Sequence, residues 1–186
     1  MTYLILGIVI FFGVHLVPIF ELKNVVINRY GKKPYMAVFA LISALGLGLM
    51  IYGKGQAEFT TIWQPMAWAH WVPVIVMWPI SILFIWAEIP CSMKIKLRHP
   101  MLLGIVFMCI SHLFANGDLA SILLFASFGI YAIFTMLRQG FEKQESTIAS
   151  STPVMNLLGI IVGTLVYMLV FTYHQQITGM PIPAVF

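Results

Sequence analysis

The stretch Tyr3–Phe20, YLILGIVIFFGVHLVPIF, contains no Asp, Glu, Lys or Arg. A helix needs about 20 residues to cross a hydrocarbon core of ~30 Å, and this run comes close to that length. No basic segment precedes it, as a cleavable signal would require, so it reads as a retained span. Five further apolar runs follow it: Tyr35–Tyr52, Met66–Ala87, Met101–Asn116, Leu119–Leu137 and Val154–Tyr173. All are apolar on every face, whereas a membrane barrel shows shorter segments of alternating polarity. The predicted fold class is therefore all-α, a polytopic transmembrane bundle of about six helices.

Composition points the same way. The 186 residues are 61% hydrophobic and only 9% charged, with a mean hydropathy of +0.97, whereas soluble domains carry about 25% charged residues. The connections are short enough for the positive-inside rule to apply. Lys23, Arg29, Lys32 and Lys33 follow span one, Lys94, Lys96 and Arg98 follow span three, and Arg138 and Lys143 follow span five. Lys54 alone lies in the other set of loops. This asymmetry predicts that those three loops are cytoplasmic and that both termini lie on the outer, periplasmic side of a bacterial inner membrane. The net charge of +4 then reflects topology and carries no nucleic-acid signal. Cys91 and Cys109 fall on opposite sides in this arrangement, too far apart for a disulfide. The polar stretch Glu142–Ser151 is too short to be a domain.

Ionisable groups inside spans are costly and tend to mark function. Five histidines qualify for attention: His15 in span one, His70 near the start of span three, His99 at the start of span four, His112 late in span four, and His174 at the end of span six. Imidazole suits iron, copper and zinc, and a buried haem takes axial ligands of this kind. The plain alternative for each is a hydrogen bond to a neighbouring helix, and His174 fits an interfacial position. By rise along the helices, His70 and His112 lie at similar depth, with His15 deeper. Arg98-His99-Pro100 opens span four, where Pro suits a first turn and basic side chains reach lipid phosphates; its functional reading is a site for an anion, either a cofactor carboxylate or a lipid headgroup. Asn116-Gly117-Asp118 has the residue types of a tight turn. Ala40, Ala44 and Gly48, like Gly159 and Gly163, repeat every four residues and predict close helix packing. Trp63, Trp68 and Trp71 fit an interfacial aromatic belt. Glu21, Glu58, Glu88 and Asp118 all border spans, so neither a hydrolase with an acid/base pair nor an ion pump with intramembrane acids is expected.

Arg98-His99-Pro100-Met101-Leu102-Leu103-Gly104, Cys109-Ile110-Ser111-His112 and Asn116-Gly117-Asp118, together with His15-Leu16-Val17-Pro18 and Arg29-Tyr30-Gly31, resemble the NnrU family of bacterial membrane proteins. The resemblance runs from span one through span five, with its most specific part around span four, and implies a single domain over residues 1–186. It also implies a role in nitrogen-oxide respiration, in the production of nitrite and nitric oxide reductase activity. The same family includes plant zeta-carotene isomerase, a b-haem enzyme that isomerises a cis bond in a polyene. Carried onto this chain, that likeness implies haem b held through iron by His112 and His15, with Cys109 nearby, and either a nitrogen-oxide or an apolar polyene ligand in a lipid setting. His70 ranks behind these two as a ligand.

Arg98-His99-Pro100 is also similar to the motif with which membrane methyltransferases bind S-adenosylmethionine. Here Leu102 replaces the expected tyrosine and the acidic block is reduced to Phe141-Glu142-Lys143-Gln144-Glu145. Half of that cofactor site is missing. Methyl transfer and a non-catalytic membrane assembly or sensing factor stand as the alternatives to a haem protein.

Overall fold

A computed structural model describes residues 1–20, 22–140, 153–179 and 182. Glu21, the Phe141–Glu145 block and the polar stretch Glu142–Ser151 lie outside the described residues. The chain is all-helical, with α1 Thr2–Ile19, α2 Leu22–Tyr30, α3 Lys32–Gly55, α4 Trp71–Glu88, α5 Ser92–Leu97, α6 Pro100–Ala115, α7 Leu119–Gln139 and α8 Pro153–Thr178. Five of these, α1, α3, α4, α7 and α8, are long and apolar enough to cross a membrane, and α6 is a shorter apolar helix of 16 residues. Large apolar side chains such as Val9, Leu41, Ile75 and Leu165 are exposed along them, which only lipid accommodates at this density. The protein is an integral membrane protein.

The apolar runs became helices, the sixth extended by five residues beyond Tyr173 to Thr178, with two further differences. The third begins at Trp71 instead of Met66, because residues 66–70 form turns, with Ala69 N–H donating to the Met66 carbonyl and Trp71 N–H to that of Trp68. The short helices α2 and α5 occupy two of the basic loops.

The chain forms two compact units, Met1–Ile62 with Asp118–Ser127, and Trp63–Gly117 with Phe128–Phe186. In the first unit α1 packs on α3 through a glycine-rich seam. Gly46, Met50 and Gly53 are the buried residues of α3, and Leu4 and Gly7 those of α1. A Cβ on Gly46 would lie 2.8 Å from the Phe11 backbone nitrogen, and one on Gly53 would run into the backbone of Leu4. The expected Ala40-Ala44-Gly48 stripe is on another side of α3: all three are exposed, and a Cβ on Gly48 meets no atom within 4 Å.

At the end of α3, Lys54 Nζ pairs with Asp118 Oδ1 at 2.8 Å, with the Asp118 side chain only 4% exposed. Asp118 also caps α7, its Oδ1 accepting the Ser121 N–H at 2.9 Å and its Oδ2 accepting from the Ser121 hydroxyl. This is standard N-cap geometry, with the acceptor one residue before the helix. Burial pushes the carboxyl up, but the Lys54 and Ser121 hydrogen bonds and the Lys54 charge outweigh it and hold Asp118 below its usual range. A depressed folded value stabilises above the ordinary aspartate pKa of about 3.9, and that contribution is lost as pH falls through the folded value. Asp118→Asn, which leaves the Lys54 charge without its counter-ion, is expected to cost about 3 kcal/mol at neutral pH. Melting curves from pH 7 downward check this: the deficit relative to wild type should shrink on acidification and stay constant at higher pH.

In the second unit α4 runs antiparallel to α8 and to α6. Polar side chains fix the register of α4 on α8: Ser81 Oγ donates to the Gly163 carbonyl (2.8 Å), Tyr167 Oη to that of Val74 (2.7 Å), and Trp86 Nε1 to that of Asn156 (3.1 Å). The predicted Gly159 and Gly163 pair is where the helices close, with Gly159 against the Trp86 ring and Gly163 against the Ile82 backbone. Gly104 on α6 admits the Phe84 ring of α4 in the same way.

Candidate functional site

His70 precedes α4, His112 lies in the last turn of α6, and His174 is near the end of α8. The antiparallel register therefore brings all three to one end of the second unit. They line a common cavity of about 350 Å³, with Asn116 beside them and walls of Val74, Met77, Phe84, Val170 and Phe171. Its size falls in the range of small-molecule and cofactor pockets, about 300–1,000 Å³, and its make-up is the usual one of apolar walls with a few convergent polar groups. Val166, Tyr167, Val170, Phe171 and His174 sit on one face of α8 by helical spacing.

Two of the imidazoles, those of His112 and His174, are oriented by backbone and hydroxyl contacts, and the His70 ring lies tilted against Trp71. His112 Nδ1–H donates to the Met108 carbonyl at 2.9 Å, which assigns the ring lone pair to Nε2. The His112 carbonyl accepts from Asn116 Nδ2 at 2.8 Å, so the helix end and the cavity rim are tied together. His174 Nδ1–H points to Thr178 Oγ1 at 3.3 Å, while that hydroxyl donates to the His174 carbonyl at 2.8 Å. Fixing one ring nitrogen by a carbonyl or hydroxyl so that the other can bind a metal is the usual outer-shell arrangement of metal-ligating histidines. Histidine nitrogens in an apolar cavity are donors of the kind that haem iron takes. Among the described residues there is no cluster of three or more His, Cys, Asp or Glu placed to hold a bare metal ion.

The other sequence candidates have separate surroundings. His15 belongs to the first unit, with Nδ1–H donating to the Phe11 carbonyl at 2.7 Å, its ring stacked on Phe11 at 4.1 Å and tilted against Phe39 at 5.0 Å. Cys109 is buried three residues before His112 but faces Gly129 of α7, 3.4 Å from where a Cβ there would stand, and is not among the cavity-lining residues. His99 Nε2–H donates to the Gly140 carbonyl at 3.2 Å. Arg98 and His99 form the corner between α5 and α6, at the opposite end of α6 from His112. His174, expected at the interface near a helix end, also lines the cavity, and the signal for that is its helical spacing from Tyr167, Val170 and Phe171.

Fold and cavity together define a polytopic helical membrane protein with a histidine-lined pocket. The family described as NnrU protein matches residues 3–182, nearly the whole chain. The chain belongs to the NnrU family. No curated protein and no solved structure matches it.

Proposed function

We propose that this NnrU-family protein binds haem b in the cavity of its second unit and supports nitrogen-oxide respiration in the bacterial inner membrane. The observation that carries the reading is the convergence of His70 and His112 on one apolar cavity. His112 is the first ligand, its ring aimed by the Met108 carbonyl, and His70 is assigned as its partner. The family likeness nominates His15 for that second place.

When bound, the haem would supply a one-electron iron couple, tuned by its ligands and burial. The chain's own groups do the rest. Val74, Met77, Phe84 and Phe171 supply the apolar walls of the site, and the Tyr167 and Ser81 bonds to α4 and α8 keep those walls in register. The asymmetry of Lys and Arg supports a placement of the cavity toward the periplasmic side. There it would meet small nitrogen oxides.

Protein purified in mild detergent from haem-sufficient cells is expected to carry close to one extractable haem b per chain. In a denitrifying host, loss of the protein should lower nitrite and nitric oxide reductase activity, and the wild-type copy should restore both. Folded protein without haem, even after haem is added, would remove the haem reading. Unchanged reductase activity would remove the respiratory one.

A further inference from the structure

α1 and α3 pack antiparallel, with Leu4 against Gly53 and Phe11 against Gly46, so the end of α1 at Ile19 and the start of α3 at Lys32 emerge on the same side of the membrane. α2 fills the gap between them and touches both. It extends neither span. Gly31, at φ 92°, turns the chain from α2 into α3 in a conformation that residues with a side chain rarely adopt. A nine-residue helix is about 14 Å long, far short of a hydrocarbon core of ~30 Å. α2 therefore belongs at the membrane surface.

Its residues are sorted for that place. By helical spacing Leu22, Val25, Val26 and Tyr30 lie within one arc of about 140°, with Asn24 and Asn28 on the other side. Leu22, Val25 and Tyr30 are 51%, 65% and 62% exposed, so neither α1 nor α3 covers that arc. Arg29 lies within it and Lys23 at its edge, where long side chains carry their charge up to headgroup level. The Arg29 guanidinium stands over the Tyr30 ring at 5.4 Å, a pairing suited to the boundary between an apolar and a wet medium. Lys23, Arg29, Lys32 and Lys33 are all exposed. Residues 22–33 contain no Asp or Glu, and among the described residues none of these four cations forms a salt bridge. An apolar arc rimmed by unpaired cations complements the headgroup region of an anionic leaflet, which offers acyl carbon beneath the helix and phosphate around it.

We infer that α2, together with Lys32 and Lys33, lies flat in the membrane surface and binds the headgroups of anionic phospholipids. All of these residues belong to the first unit, so the surface is independent of what fills the histidine-lined cavity of the second.

The test uses full-length protein in nanodiscs of phosphatidylcholine, with and without phosphatidylglycerol, and follows hydrogen exchange of the α2 amides by mass spectrometry. A basic side chain near an anionic surface contributes about fivefold, so four together should slow α2 exchange by at least about tenfold in the phosphatidylglycerol discs. The variant that combines Lys23→Gln, Arg29→Gln, Lys32→Gln and Lys33→Gln should lose that difference, while its α1 and α3 amides exchange as in wild type and report that it folds. The apolar arc is read separately by labelling with a water-soluble maleimide, Cys91 and Cys109 being buried. Val25→Cys should react severalfold more slowly than Asn28→Cys in the phosphatidylglycerol discs. Equal α2 exchange in the two kinds of disc, or a lipid dependence that the Gln variant retains, would overturn the inference. So would equal labelling of the two cysteines. Protection of α2 in neutral detergent as strong as in the phosphatidylglycerol discs would mean that protein covers the helix, and would overturn it too.

Discussion

Gly53→Ala is expected to destabilise the protein by about 3 kcal/mol, the upper part of the usual range for overpacking. The added methyl has nowhere to go, because its position is occupied by the Leu4 backbone and not by the flexible end of a side chain. α1 must move off α3, and with it goes the contact between Gly7 and Met50 further along the same seam. Gly48→Ala, on the same helix, should be neutral or should stabilise by up to about 1 kcal/mol through helix propensity, since its Cβ would enter open space. Thermal melts of the two variants in one detergent check the contrast. Equal effects would mean that α1 does not close on Gly53.

The second large effect falls on the cavity. His112→Ala should lower haem affinity by at least about tenfold, since even loss of an outer-shell partner costs 10–100-fold at metal sites. His70→Ala should leave a haem with altered ligation, readable in its spectrum, while His15→Ala should leave the spectrum as in wild type. The reverse pattern, with His15→Ala changing the ligation and His70→Ala silent, would return the second ligand to the residue that the family likeness nominates. Helical content by circular dichroism separates these outcomes from misfolding.

Much of this architecture was legible in the charge-free runs, because lipid demands long apolar helices whatever their packing. Helix starts were less so. Residues 66–70 carry no Asp, Glu, Lys or Arg, and a charge-free run does not distinguish an interfacial turn from the first turn of a span. α2 and α5 carry Lys and Arg and have no apolar run to announce them. The α3 seam was misplaced for a related reason. Small residues recur on several faces of α3, and only the partner helix determines that Gly46, Met50 and Gly53, spaced as one face, are the ones buried.

The candidate site divides along the same line. Helical rise placed His70 and His112 at one depth, and the structure puts both on one cavity. Sequence spacing also put Cys109 nearly on the face of His112, yet one looks toward Gly129 and the other into the cavity. Three residues leave about 60° between side chains on a helix, enough to assign them to different neighbours where helices crowd from several directions. The Asp118 ion pair was hidden because its partner Lys54 is distant in sequence, and no local pattern links a helix end to a turn so far along the chain.

The most direct test of the haem site is the pair of oxidised and dithionite-reduced absorption spectra of purified wild type and His112→Ala. Wild type is expected to show a Soret band and reduced b-type bands that are lost or shifted in the variant. A folded wild-type protein that stays colourless after haem addition, or a variant whose spectra match wild type, would contradict it.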